Sequence, residues 1–436
     1  MPNLYFLMLL SFSVENFKSI RDLQTLSLVA AKGGHLEWSN TFVIGKRRLV
    51  KSVALYGPNA SGKSNVINAM IWFRNFVLTS SKETQSGESI GVQPFKLSTK
   101  TLKNPSHFEV EFLIDDHEFR YGFEVNSERV VSEWLYRKSQ GAKAAKLFTR
   151  DENEYDISAN FFKEGKGLEK RTRDNALFLS VCAQFNGDIA TKVLNWMQRL
   201  RNVSGLTESG FFGFTAERLQ DKKNQKELLN FAQKADFNIQ SLASELEFIR
   251  ADHLPDTMPE NLKKRIIADR TVGNSSIKTT HSILDENNQV VGQQDFDLKA
   301  DESEGTQKFI ALSGPITHTL ETGSILLIDE LDARLHPRLT QAIVDLFHSP
   351  VNRHNAQLIC ATHDVTLMEP ERFRRDQIWF CDKDKNGATE LFSLGSFDVN
   401  QVRPNSKFSR QYMLGLFGAL PNLAHFQEAA ELATHE

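Results

Sequence analysis

The stretch Lys51-Ser52-Val53-Ala54-Leu55-Tyr56, running into Gly57-Pro58-Asn59-Ala60-Ser61-Gly62-Lys63-Ser64, decides the fold of this chain. The octet fits G-x-x-x-x-G-K-[ST], with a short apolar strand before it. Helical spacing follows from Asn65 to Thr79, with Val66, Met70, Phe73 and Val77 on one face. Gly57 and Gly62 let the backbone bend so that successive N–H groups point inward at phosphate oxygens, and the helix adds its positive end. Lys63 brings a point charge to the β- and γ-phosphates of a nucleotide, and the Ser64 hydroxyl is placed to ligate Mg²⁺. Asn59, Ala60, Ser61, Gly62, Lys63, Ser64 and Asn65 are the expected nucleotide-binding set.

Such a site also needs a carboxylate for the metal's water shell and a base to orient the attacking water. Ser324-Ile325-Leu326-Leu327-Ile328-Asp329-Glu330 supplies both. The apolar residues predict a buried parallel strand whose acids emerge at its carboxyl end, where α/β sheets put their ligands. Asp329 is expected to face Mg²⁺ through water, and Glu330 to polarise the hydrolytic water. Lys63 and Asp329 lie 266 residues apart, so something large is inserted between the two halves of the site.

Three further elements follow. Ser303-Glu304-Gly305-Thr306-Gln307-Lys308 opens a helix predicted over Gln307–Thr319 and kinked at Pro315, with Ser303 as its cap and Gly305 letting its amino end approach an anion. Leu331-Asp332-Ala333-Arg334-Leu335-His336-Pro337 leads into a helix starting at Pro337. Gln357–Ala361 is another buried strand, ending in Thr362-His363-Asp364, where His363 can contact a γ-phosphate.

Elsewhere, residues 8–56 read as short strands, and 108–135 as antiparallel strands turning at Asp115-Asp116. Ile189–Arg201 and Ala216–Ala235 read as helices joined by the Gly-rich connection Gly205–Gly213. Strand-like patches recur at Leu246–Ile249 and Ile277–Leu284. After residue 300 the predicted order is helix, strand, helix, strand, helix. Leu4–Leu10 reads as a buried first strand, too short to span a bilayer and lacking basic residues before it. Met8 is an alternative start. No other run is long enough to cross a membrane, so a cytoplasmic protein is expected.

The 436 residues are 40% hydrophobic and 25% charged, the balance of an ordinary folded protein. A net charge of −3 excludes an all-over basic nucleic-acid binder but not a local basic patch. Cys182, Cys360 and Cys381 are odd in number and widely spaced, which excludes a disulfide framework and a thiolate zinc site. The 32 phenylalanines are spread through the chain, as core residues are.

In order and content these motifs resemble the ABC-type ATPases of the SMC/RecF group. Ser303-Glu304-Gly305-Thr306 looks like their signature, Leu335-His336 their D-loop and His363 their switch histidine. Asn16-Phe17-Lys18-Ser19-Ile20, with Asp329-Glu330 and Leu335-His336-Pro337, is closer still to one branch. That branch is the OLD-like ATPases lacking a nuclease domain, found in bacterial abortive-infection and anti-phage systems. The resemblance covers roughly residues 8–150 and 275–400. The signature departs from Ser-Gly-Gly-Gln, and His336 stands where many relatives carry aspartate, although this branch commonly has His-Pro.

The resemblance implies an α/β fold: an ABC-type P-loop ATPase head, with a mixed sheet flanked by helices, an antiparallel β subdomain and a large helical insertion. Its expected divisions are 1–150 and 275–400 for the two parts of the head, 151–274 for a mainly helical insertion or lid, and 401–436 for a helical tail. It implies ATP and Mg²⁺ as cofactors, with Glu330, His363 and Lys63 catalytic. Ser303 and Gly305 would bind the γ-phosphate of a nucleotide held by another copy, so at least a homodimer is needed. Hydrolysis would release them.

Several residues keep two readings. Lys18 reaches the adenine or a phosphate, or is an exposed strand-end lysine. Gln93 touches Mg²⁺ or belongs to an ordinary turn before Pro94. His336 acts at the site or starts a helix facing solvent. Basic clusters at Lys46-Arg47-Arg48, Lys170–Arg173, Lys222-Lys223, Lys263-Lys264-Arg265 and Arg372–Arg375 are solvated faces or parts of a nucleic-acid track. With no second catalytic centre, the expected function is an ATP-hydrolysing sensor or scaffold in bacterial defence, controlling a separately encoded effector, a nuclease. The alternatives are a RecF/SMC-like DNA-binding repair ATPase, a transporter motor and a non-catalytic ATP switch. The long interval opposes the motor and Glu330 opposes the switch.

Overall fold

The computed structural model describes residues 7–33, 35–83, 85–204, 209–235, 237–248, 263, 272–398 and 407–421. The expectations for residues 4–6, 205–208, Ile249, Lys264-Arg265, and 399–406 and 422–436 of the head's end and tail lie outside these residues. The chain divides into two compact units. One comprises Met1–Asn202, Gly323–Asp329 and Val344–Glu436, the other Val203–Thr322 and Glu330–Ile343. The second unit opens at Val203 and takes in residues 275–322.

In the first unit, a six-stranded sheet has the order Leu200–Ser204, Ile325–Asp329, Gln357–Ala361, Ser52–Tyr56, Ile378–Lys383, Thr389–Ser393. The four strands from Ile325–Asp329 to Ile378–Lys383 run parallel and the last pair is antiparallel. Val53, Ala54 and Leu55, Leu326 to Ile328 and Leu358 to Ala361 are all fully buried, as unbroken apolar runs in a covered parallel sheet should be. Topology therefore brings the carboxyl ends of three motif strands side by side, with the Gln357–Ala361 strand in the middle.

A seven-stranded antiparallel sheet accompanies it, ordered Glu154–Ile157, Ala145–Asp151, Val130–Ser139, His117–Val125, Ser106–Ile114, Leu7–Glu15, Gln24–Ser27. The Ile114↔His117 register makes Asp115-Asp116 a two-residue hairpin turn, with Asp115 at φ 56°. The helix Lys63–Thr79 buries Val66, Met70, Phe73 and Val77 between the sheets. Phe73 stacks on Phe123 at 5.2 Å and meets Phe12 edge-on at 5.6 Å, so the phenylalanines serve as core. The expected α/β architecture, a mixed sheet with helices and an antiparallel sheet beside it, is present.

The second unit holds an antiparallel sheet of Ser241–Phe248, Val272–Leu284 and Val290–Asp297, and helices Ser209–Arg218, Lys222–Gln233 and Glu304–Thr322. The helices pack closely: the Thr215 hydroxyl donates to the Ala311 carbonyl at 2.5 Å, and Phe231 stacks on Phe309 at 4.8 Å.

Three local expectations are corrected. Helix 189–201 ends at Met197, because Leu200–Ser204 pairs as an edge strand of the six-stranded sheet. Helix 216–235 is two helices, since the Asp221 carboxylate accepts from the Lys223 and Asn224 amides and starts a new one. The fifth element after residue 300 is the strand Ile378–Lys383, which docks on Ser52–Tyr56. Residues 151–274 accordingly carry strands as well as helices.

Candidate active site

The loop Gly57–Ser64 leaves its strand with φ 148° at Gly57, 63° at Ala60 and 107° at Gly62. The two glycines are fixed by close approach as well as by dihedral. A Cβ on Gly57 would lie 2.2 Å from the Cys381 carbonyl, and one on Gly62 2.1 Å from the Thr389 hydroxyl. Thr389 donates to the Ser61 carbonyl at 2.8 Å and meets the Ser19 hydroxyl at 2.7 Å, while the Asn65 amide donates to Ser19 at 2.6 Å. A chain of side chains thus braces the loop from behind. Burial lifts the Cys381 thiol to about 12, so it stays protonated beside the loop.

Within the loop, the buried Lys63 ammonium donates to the carbonyls of Gly57 at 2.8 Å and Pro58 at 3.1 Å, curling over the cradle. The Ser64 hydroxyl donates to the Asp329 carboxylate at 3.1 Å, joining residues 265 positions apart. Among the described residues the Ser61 hydroxyl is buried without a hydrogen-bond partner. An orphaned hydroxyl costs free energy unless a ligand satisfies it, and this one lies within the Gly57–Ser64 loop. The amides of Lys63 and Ser64 head a helix and precede its internal acceptors. A hydroxyl beside a carboxylate is an oxygen donor set that suits a hydrated hard cation. Among the described residues no group of three or more His, Cys, Asp or Glu forms a metal cage. The residues present therefore fit a nucleotide with Mg²⁺.

The exposed His363 lies just beyond the Gln357–Ala361 strand, between the strand ends that carry Asp329 and Gly57. Asn59 and Ala60 are exposed at the loop's tip. Lys18, at φ 50°, lines a cavity of about 420 Å³ with Ser19, Asn65, Gln93, Lys96 and Lys383. Its amide donates to the Gln93 carbonyl at 2.8 Å, so Lys18 and Gln93 share one wall. Asn16 builds that wall. Its buried amide donates to Thr101, Asn104 and Pro105 carbonyls and its oxygen accepts from the Phe95 amide.

The other motif residues sit in the second unit. Ser303 caps the helix Glu304–Thr322, its hydroxyl accepting from the Thr306 amide at 3.2 Å. A Cβ on Gly305 would reach within 2.9 Å of the Arg334 carbonyl, so close backbone contact requires glycine there. Glu330 takes φ 53°, a turn of hand that costs about 1–2 kcal/mol for an L-residue and needs external support. His336 caps the helix Pro337–His348, its Nδ1 accepting from the Arg338 amide at 3.2 Å, and is exposed. Sequence reasoning missed the bracing residues Thr389 and Ser19, and also the buried Lys308. Contact with these comes from distant segments and leaves no local pattern.

Residues 52–369 match the family described as "AAA domain, putative AbiEii toxin, Type IV TA system", about three quarters of the chain. The chain belongs to this family. It is an AAA-domain ATPase by fold and motif, and nucleotide binding goes with that membership. Among curated proteins none matches. Loose structural similarity extends to the SMC head domain from Thermotoga maritima, with TM-score 0.39, 13% identity, and 88% of this chain and 98% of that one covered. An SMC head bound to the C-terminal winged-helix domain of ScpA gives 0.41, 15%, 88% and 97%. RecF of the RecFOR pathway gives 0.33, 15%, 88% and 98%. Among the described residues no helix is long and apolar enough to cross a membrane.

Proposed function

We propose that this AAA-domain chain hydrolyses ATP with Mg²⁺ at sites completed by a second copy. It would act in the cytoplasm as a sensor or scaffold of a bacterial anti-phage or abortive-infection system, governing a separately encoded nuclease. The observation that supports the ATPase reading is the Ser64–Asp329 hydrogen bond, which joins the two residues expected at the metal, 265 positions apart, beside the braced loop. Mg²⁺, when bound, neutralises charge on the β- and γ-phosphates. Lys63 exchanges its two loop carbonyls for phosphate oxygens, and the Ser61 hydroxyl gains its missing partner. Glu330, next after Asp329, takes the proton of the attacking water. His363 reports the γ-phosphate, and Ser303 and Gly305 meet it from the neighbouring copy.

The defence setting is supported by the family's description, which names a toxin and a toxin–antitoxin system. A nucleic-acid track gains less support from the basic clusters. Arg47 is paired with Glu118, Arg372 with Asp345 and Arg374 with Asp376. The test is phosphate release by wild type and Glu330→Gln, with ATP binding measured alongside. The reading expects turnover to collapse while binding persists. Equal turnover in both proteins refutes it.

A further inference from the structure

Lys308 is fully buried, yet the site described above gives it no role. It lies on the helix Glu304–Thr322, five residues after Ser303. Its ammonium donates to the carbonyl oxygens of Glu330 at 3.0 Å, Leu331 at 3.1 Å and Ala333 at 2.5 Å. A lysine carries three donors, and here all three reach backbone acceptors of one short turn. Burying an ammonium is costly unless it is so satisfied, which makes this a demanding way to join two segments. Two more contacts run the same way. Gly305 abuts the Arg334 carbonyl, and Glu304 pairs with Arg334 at 3.4 Å. Both Glu330 and Arg334 stand at positive φ, 53° and 61°, so the turn holds a shape that isolated residues resist. The ammonium supplies the support this shape requires.

We propose that Lys308 is a positioning residue that locks the turn carrying Glu330 to the amino end of the Ser303 helix, so that these segments move as one piece. The inference rests on the ATPase reading above and deepens it. Glu330 serves the nucleotide held by its own chain, whereas Ser303 and Gly305 face the nucleotide held by the neighbour. A rigid link between them means that closure on the neighbour's γ-phosphate sets the aim of the chain's own general base. Two sites in a symmetric pair are then coupled, and hydrolysis rises with ATP more steeply than independent sites allow.

The test uses the full-length chain. Lys308→Met keeps side-chain length and apolar packing but removes the ammonium, and Lys308→Arg keeps charge and donors. Phosphate release against ATP concentration gives kcat, KM and a Hill coefficient, and ATP affinity is measured separately. Wild type is expected to show a Hill coefficient above one. Lys308→Met should lose about ten- to a hundred-fold in kcat, the scale of a small misplacement of a reacting group. Its ATP affinity should be unchanged and its Hill coefficient should fall to one, with Lys308→Arg recovering part of both.

Glu330→Gln is the control. If it turns over like wild type, the ATPase reading itself fails. If it is inactive while Lys308→Met keeps wild-type kcat and steepness, only the present inference is overturned. A parallel loss of affinity, kcat and thermal stability in Lys308→Met would mark a merely structural lysine and also overturn it. Should Lys308→Met fail to fold, Lys308→Gln replaces it, keeping a polar donor at the position while removing the charge and shortening its reach. Lost kcat with kept affinity supports the link, and unchanged kcat refutes it.

Discussion

Replacing Gly62 by alanine probes how the phosphate cradle is braced. The new Cβ would lie 2.1 Å from the Thr389 hydroxyl and 2.8 Å from its methyl, on a residue at φ 107°. The left-handed backbone costs about 1–2 kcal/mol for an L-residue. Forcing a methyl into a filled space costs about 1–3 kcal/mol more. Gly62→Ala should therefore destabilise the protein by roughly 2–5 kcal/mol, at or above the upper end of ordinary single substitutions. Thr389→Ala removes both offending atoms, but it gives up the bonds to the Ser61 carbonyl at 2.8 Å and the Ser19 hydroxyl at 2.7 Å, a loss of about 1–2 kcal/mol. In the double variant the two closest collisions are gone, and the backbone strain, the lost bonds and a 3.0 Å approach to the Ser19 hydroxyl remain. The two changes should cost at least about 1 kcal/mol less together than their sum. Urea unfolding of the four proteins measures this cycle, and ATP binding by each shows whether the cradle keeps its shape. Additivity within about 0.5 kcal/mol would refute the bracing argument.

Two further predictions concern the scaffold. The imidazole of His348 is buried, and burial first, then Lys51 and Arg372, pushes it down to about 3. Its Nε2 accepts from Gln377 at 3.3 Å and meets the Ser52 hydroxyl at 2.7 Å, so protonation would set a donor against a donor. Because the folded value lies below the unfolded one near 6.5, the unfolded chain binds more protons between them. The stability is complete above pH 6.5 and lost as pH falls below it, about 1.4 kcal/mol per pH unit. Urea midpoints between pH 7.5 and 5 should show this slope, and His348→Gln should flatten it. Glu133, fully buried, accepts from the Tyr121 hydroxyl and the Phe178 and Leu179 amides beside the buried Arg150. Glu133→Ala takes the carboxylate from the arginine, whose guanidinium then rests on the Glu152, Ala176 and Asp174 carbonyls, and leaves two amides and a hydroxyl without their acceptor. It should cost about 3–5 kcal/mol, read as a large drop in unfolding midpoint. A loss under 1 kcal/mol would contradict it.

What the sequence disclosed was the part written in contiguous residues. The phosphate loop, the strand ending at Asp329, the Gln357–Ala361 strand and the helix at Pro337 each carry their period and their punctuation locally. The helix break at Asp221 was also written there, as an acid two and three residues before the amides it caps, and apolar spacing alone overrode it. Other features had no local trace. The strand after Leu200 exists because the Ile325–Asp329 strand offers it an edge. Thr389 matters only because the antiparallel edge strand of the mixed sheet carries it behind Gly62. Lys308 reads as one more polar helix residue until the turn at Glu330 folds over it. Local chemistry named the groups that would touch the nucleotide, while the groups that hold them came from long-range packing.

On the proposed mechanism, a nucleotide gripped by one copy is sealed by Ser303 of another. Glu330→Gln, which should bind ATP without consuming it, is sedimented with and without ATP and Mg²⁺, alone and combined with Ser303→Arg. An ATP-dependent assembly is expected for Glu330→Gln, and none for the double variant although it binds ATP equally well. Assembly that ignores either ATP or the arginine at position 303 would contradict it.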